Sequence, residues 1–430
     1  MKIMNRWWKR FSVFAMVGLL LATLWSCNGT PKQSSSDSPE VEFWTMQLQP
    51  KFTDYFNNII SEFEAENPDI KINWVDVPWE AMQNKILAAV QSKTAPDVVN
   101  LNPDFASQLA GRNAWLNLDE KITPESRETY LPNIWKASTL NGNSFGFPWY
   151  LTSRIAIYNQ DLFKQAGLDN PPTNFEELAE AAKTIKEKTG KYAFFVTAVP
   201  SDSGELMEAM VQMGVKLVDD QGKAAFNSAE GKKAFTYWSD LFKNDLIPRE
   251  VLTEGHRRGI DLYQSGEIAL LTSSPQFLNN IETNAPDVAK ASAPAPQITG
   301  DTGKINVAVM NLVIPKDSDQ PDAALKFAQF VTNPANQLQF AKEANVIPST
   351  KESLTDPYFS EAPADAKPAD QGRIVSAQQM ENAEVLIPTL KDIKQLQKIL
   401  YENLQATMLD QKSVDQALTD AEQAWNQLQS

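Results

Sequence analysis

The chain has 430 residues, 42% of them apolar, and 54 acidic against 39 basic side chains give a formal net charge of −15. That excess disfavours nucleic acid and other polyanions as ligands, because neutralising phosphates takes clustered Lys and Arg, and the longest basic cluster is His256-Arg257-Arg258. The single cysteine, Cys27, excludes an internal disulfide, so stability must come from a core large enough for two domains.

Residues 1–26 begin with Lys2, Arg6, Lys9 and Arg10 and continue as an apolar run from Phe11 to Leu24. This is the charge and length pattern of a secretory signal, and the run is short of the roughly 20 residues a spanning helix needs. An uncleaved membrane helix is the alternative reading. Leu24-Trp25-Ser26-Cys27 resembles the lipobox of bacterial lipoproteins, although Trp25 replaces the usual small residue. Cleavage before Cys27 would free its thiol for acylation, and two or three chains hold a protein firmly to a bilayer. Residues 27–40 then form a Ser- and Pro-rich tether that cannot bury enough to order itself.

The next 60 or so residues alternate between the two periods of secondary structure. Val41 to Thr45 reads as a strand, and Phe52, Tyr55, Phe56, Ile59, Ile60 and Phe63 mark one helix face. That helix ends at Asn67-Pro68. Residues 70–75 alternate as a strand, 80–92 are helical, and 97–101 form a short apolar strand. Such an order predicts an α/β unit with a largely parallel sheet, whose ligand side is the carboxyl ends of the strands. Further on, residues 175–188, 229–243, 321–331, 334–343, 393–409 and 413–428 read as helices, with strands at 193–197, 267–272 and 305–314.

Several stretches in order, "VEFWTM", "FEAENPDIKINWVDVPW", "ILAAVQSKTAPDVVNL", "GFPW", "IYNQDLFKQAGLDNPPTNFEEL", "YQSGEIALLTSSP", "KFAQFVTNPANQLQFAKEANVIPS" and "MENAEV", resemble the extracellular solute-binding proteins of carbohydrate import systems, the maltose-binding-protein-like family. The resemblance implies an α/β, two-lobe periplasmic-binding-protein fold of type II, each lobe a mainly parallel sheet flanked by helices, joined by crossing hinge strands. It places the N-terminal lobe at 41–150 plus 312–348, the C-terminal lobe at 156–305 plus 349–430, and the hinge at 151–155 and 306–311.

A sugar site needs apolar platforms for ring faces and in-plane polar groups for hydroxyls. At the loops of the expected cleft stand Trp44 and Gln47, Trp79, Asn102 and Asp104, then Trp149, Tyr150, Thr152 and Arg154 in the first crossover. Ser274, Gln276 and Phe277 follow a strand of the second lobe, and Asn311 lies at the second crossover. Many relatives keep a tryptophan beside Pro275; here Phe277, or Trp149 with Tyr150, would replace it. Each residue has a plainer role open to it: Trp44 and Trp79 as core, Asp104 as a helix cap, Arg154 as the partner of a carboxylate. Trp74, Trp115, Trp135, Trp238 and Trp425 sit in core patterns and are read as structural.

His256 stands without a partner at ligand spacing, and no metal cluster, nucleophile elbow or phosphate-gripping loop is present in the sequence. The expectation is a non-enzymatic receptor without cofactor, monomeric and lipid-anchored in the cell envelope. Its partners would be a neutral carbohydrate and the permease subunits of an ABC transporter, with no nucleic acid. A glycoside hydrolase, which needs only two carboxylates, and a sugar-sensing ectodomain are the alternatives.

Overall fold

Alternating strand and helix periods at the N-terminal end fold as three parallel strands with helices between them in the computed structural model, which describes residues 39–387, 390 and 392–429. The leader, Cys27 and the tether up to residue 38 lie outside the described residues. Strand β1 (Glu40–Met46) pairs in parallel with β2 (Lys71–Val77) and β3 (Val98–Leu101). The helix Thr53–Glu66 buries Phe56, Ile59 and Phe63, the face its spacing marks. Phe43 and Phe63 both meet Phe327 edge-on, at 5.2 and 5.1 Å between ring centroids. Each fully buried ring of this kind contributes about 1.5–3 kcal/mol.

A short hairpin, β4 (Thr139–Leu140) with β5 (Asn143–Ser144), precedes β6 (Phe147–Ser153) and β7 (Ile155–Asn159). One residue, Arg154, separates β6 from β7, yet they belong to different sheets. A small sheet sets β7 between β8 (Leu270–Ser273) and β9 (Ser292–Ala295). The chain returns to the large sheet in β10 (Ile305–Val313), joined there by β11 (Ile347–Pro348) and β12 (Ala383–Glu384). The large sheet runs β11-β6-β10-β3-β1-β2, with β12 paired to the start of β10.

Two expectations need correction. The small sheet is antiparallel throughout, and β10 runs antiparallel to both β3 and β6, so the architecture is α/β with mixed sheets flanked by helices. Strand–helix alternation implies parallel pairing only when successive strands join the same sheet as neighbours. More than 100 residues and several helices separate β7 from β8, which leaves their direction open. Residues 193–197, expected as a strand, are irregular. The Ala193 carbonyl accepts from the backbone N–H groups of Ala269 and Leu270, and just beyond the segment Ala198 accepts from Gln405 Nε2.

The cores follow the sheets. Trp149, Phe147 and Leu151 join Phe43, Phe56 and Phe340 on one face of the large sheet. Around the small sheet, Phe194, Phe235 and Trp238 pack with Leu396, Leu400, Leu404 and Trp425 of the two C-terminal helices, Ile393–Met408 and Val414–Leu428. Within 349–430, Phe359, Met380 and Ala383 pack on the large-sheet core, while Leu396 to Trp425 pack on the small-sheet core.

Candidate functional site

Parallel strands β1, β2 and β3 end on one edge of the large sheet, and the residues that follow them are Gln47, Trp79 and Asn102. Gln47 holds a left-handed backbone, φ 53°, which is uncommon for a residue with a Cβ. Asp76 fixes the loop in that shape. Its Oδ1 accepts from Thr45 Oγ1 at 2.6 Å and from the Leu48 N–H at 2.9 Å, and its Oδ2 accepts from the Gln49 N–H. Gln47 Oε1 in turn accepts from the Trp79 N–H, the first residue of the helix Trp79–Ser92. Trp79 is 41% exposed, an unusual state for so large a ring. Trp44 is buried: its Nε1 donates to Glu42, and the Lys85 ammonium covers its ring at 3.8 Å.

Asn102 caps the helix Pro103–Ala110 by accepting from the Phe105 N–H at 2.8 Å. The cap is thus Asn102 rather than Asp104, which is exposed in the first turn. Asn311 sits where β10 slips register against β6, a bulge of the kind that re-aims side chains near sites. It is buried, accepts from Ser138 Oγ and donates to the Val309 carbonyl.

The expected platform at Trp149 is not presented to a ligand. Side chains alternate along a strand, and Phe147, Trp149 and Leu151 all take the core face of β6. Trp149 is 0% exposed and stacks on Phe340 at 4.7 Å. Tyr150 is half-buried, edge-on to Trp149 and against Phe340 as well, and burial pushes its hydroxyl pKa well up.

The other expected residues fall into separate places. Asn102, Asp104 and Asn311 line one cavity of about 1100 Å³, mouth included. Thr152, Ser274 and Gln276 line a second cavity with Asn345 and Arg373, and there Gln276 Nε2 donates to the carbonyls of Ala344 and Asn345. Phe277 is half-buried against the core of Tyr263 and Leu278. Arg154 lies in a third place, among carboxylates, and this is the plainer role weighed for it: Nη1 donates to Glu208 Oε2, and Nε is 3.7 Å from Glu205 Oε1.

Around Arg154 the two carboxylates are largely buried, while Arg154 and His256 keep about a third of their side chains exposed, 32% and 31%. Burial alone would raise the Glu205 pKa, but Arg154 and the nearby His256 outweigh it and hold the carboxyl below its usual range. Burial raises Glu208 despite Arg154. His256 Nδ1 lies 3.2 Å from Glu205 Oε1, and that interaction raises the imidazole above its ordinary value. The loop before these carboxylates is stitched to the helix Ile393–Met408 by a polar ladder at i, i+4 and i+8. Gln397 Nε2 donates to the carbonyls of Pro200, Asp202 and Ser203, Tyr401 Oη to Ser203, and Gln405 Nε2 to Ala198 and Leu252.

The cavity that holds Asn102, Asp104 and Asn311 is closed from the small-sheet side by Met207, Glu208, Lys394 and Gln397, with Asn306 on β10. None of these five was singled out from the sequence. One signal was there: Glu205 and Glu208 lie three apart in the otherwise apolar run Leu206, Met207, Ala209, Met210. Acids at that spacing on a buried helix face demand a counter-charge. Among the described residues no group of three or more His, Cys, Asp or Glu is placed to hold a metal ion.

An α/β frame with mixed sheets and a cavity of mixed polar and apolar lining at strand ends is that of a ligand-binding protein of the periplasmic-binding-protein type. The family of bacterial extracellular solute-binding proteins matches residues 49–338, and the chain belongs to it. Members of that family bind solutes rather than transform them. The fold is similar to that of a candidate oligosaccharide periplasmic-binding protein from Synechococcus sp. MITs9220, with a TM-score of 0.85 and 44% identity over 90% of this chain and 98% of that one. The mannitol-binding protein of Pseudomonas aeruginosa is 25% identical over 390 residues, 84% of this chain and 87% of its own. The maltotriose-binding protein of Pyrococcus abyssi is 22% identical over 345 residues, 77% of this chain and 71% of its own.

Proposed function

We propose that this chain is a lipid-anchored receptor that captures a neutral mono- or oligosaccharide and delivers it to an ABC permease. The observation that carries the reading is the cavity at the carboxyl end of β3, where the amides and carboxylates of Asn102, Asp104 and Asn311 on one side and Glu208 and Gln397 on the other stand among apolar residues such as Phe145, Met207 and Ile387. Amides and carboxylates bond hydroxyls in-plane, and the exposed Trp79 on the same sheet edge offers a face for stacking. Relatives that bind mannitol and maltotriose support the same class of ligand. In this reading the large sheet anchors one lobe and the small sheet the other, and the sugar closes them by making better contacts in the closed state. The anchor rests on the apolar leader and the lone Cys27.

Thermal shift of the mature protein against mannitol, maltose, maltotriose and diacetylchitobiose tests the ligand class. A ligand at 100 times its Kd stabilises by about 2.7 kcal/mol, so at least one sugar should raise the Tm by several degrees. A flat response across the panel at 10 mM (~10⁻² M, far above ordinary import affinities) would end the sugar reading. The anchor is tested apart from it: Cys27→Ser should abolish metabolic labelling by a fatty acid, and equal labelling of both proteins would rule the anchor out.

A further inference from the structure

Glu208 has two flanks. One is held by Arg154, the single residue between β6 and β7, which Glu205 also engages. Arg154 belongs to the wall of a separate cavity, beside Trp238 and His256. The other flank of Glu208 faces the cavity of Asn102, Asp104 and Asn311. Only 8% of the residue is exposed, and Asn306, also on the cavity wall, is its hydrogen-bond partner on that flank.

Resting on the sugar-binding reading above, we propose that Glu208 accepts a ligand hydroxyl and sets the site's specificity against anionic sugars. Among the described residues, the ionisable groups on the cavity wall are Asp104, Glu208 and Lys394. Asp104 and Lys394 are exposed, where solvent screens them, and Glu208 is buried. A hydroxyl donated to the carboxylate makes a charge-assisted bond, stronger than a neutral one. A ligand carboxylate or phosphate in the same place meets a like charge. Two bare charges about 5 Å apart at an effective dielectric of about 20 repel by on the order of a hundredfold in affinity, and Arg154 on the far flank offsets part of it, leaving about tenfold. Arg154, the nearby cation that could receive an anion, is already shared between two carboxylates on the far side. The net charge of −15 acts in the same direction at longer range.

The test is titration calorimetry of the mature protein with matched pairs: maltose and maltobionate, maltotriose and maltotrionate, mannitol and mannonate, diacetylchitobiose and its aldonic acid. The parent should bind the neutral member of a pair at least about tenfold more tightly. Glu208→Gln keeps shape and an acceptor but removes the charge, so the ratio of neutral to acidic affinity should fall by about tenfold or more. Oxidation also opens the terminal ring of the oligosaccharides, and that effect is common to both proteins, which makes the change in ratio the deciding quantity. Should Glu208→Gln fail to fold, the triple variant Arg154→Gln/Glu205→Gln/Glu208→Gln removes both carboxylates with the cation they share and reads the same ratio. A ratio unchanged by the substitution, or a parent that binds the acid as tightly as the neutral sugar, overturns the assignment to Glu208. A panel in which nothing binds ends the sugar reading itself, so the two failures are distinguishable.

Discussion

At the carboxyl edge of the large sheet, Gln47, Trp79 and Asn102 stand at strand ends, held by turns and a helix cap, the first two exposed and Asn102 half-buried. On the small-sheet side, Arg154, Glu205, Glu208 and His256 are packed beside Phe195, Trp238 and Leu270, and they balance one another with the two carboxylates largely buried and the two cationic side chains partly exposed. The first arrangement costs little, since exposed amides exchange water for ligand. The second depends on every partner being present, because an unpaired buried charge is expensive. Side chains at the large-sheet edge can therefore change with small effects on the fold, whereas those around Arg154 and in the β6 core cannot. Ligand recognition and stability are separable on one side of the cavity and coupled on the other.

Two tryptophans offer the widest test of that contrast. Trp149→Ala removes a ring that is fully enclosed between Phe56, Tyr150 and Phe340, and it should cost about 3–5 kcal/mol of stability. Trp79→Ala removes a ring that is 41% exposed, and it should change the melting temperature little. In the sugar-binding reading it should weaken affinity by about 1–3 kcal/mol, a range taken by analogy from base–aromatic stacking. Chemical denaturation beside calorimetric titration separates the two losses. If Trp149→Ala melts like the parent, or Trp79→Ala loses as much stability as Trp149→Ala, the division between edge and core is misplaced.

The same contrast explains what the sequence shows. Edge residues are legible because a strand must end before a loop begins: Val98 to Leu101 stops at Asn102-Pro103, and the spacing alone puts Asn102 at a carboxyl end. Trp149 lies in the middle of a strand whose length is set by pairing with β10 and β11. Pro148, a residue type that ordinarily interrupts a central strand, takes a place in this one opposite Asn311, at the bulge. The Arg154 cluster joins residues 54 and about 100 positions apart, and no local period reports such a meeting. Sheet direction is hidden for a related reason, since β7 and β8 meet only after intervening helices have turned the chain. The C-terminal helices were legible from their spacing, but their role in holding the loop of Glu205 through Gln397, Tyr401 and Gln405 depends on which polar residue faces which carbonyl.

His256 gives the finest probe of the coupled side. Its imidazole is raised above the ordinary value chiefly by Glu205 Oε1, 3.2 Å away, with Arg154 opposing and Asp202 assisting. A group whose folded pKa is raised stabilises the fold fully below its unfolded pKa, about 6.5 for histidine, and loses that contribution as pH rises through the folded value. His256→Gln keeps a polar side chain and removes the titration. The parent should therefore be more stable than the variant at pH 5.5–6, by a margin that shrinks as pH rises toward 9. Glu205 sets the lower bound, because its depressed pKa keeps it ionised through this window. The partial exposure of the imidazole, 31% of the side chain, lets solvent screen the pair and keeps the margin small. Melting curves of both proteins at half-unit steps of pH give the comparison directly. A constant difference across the range would mean that His256 contributes packing alone and that its proton is not coupled to Glu205.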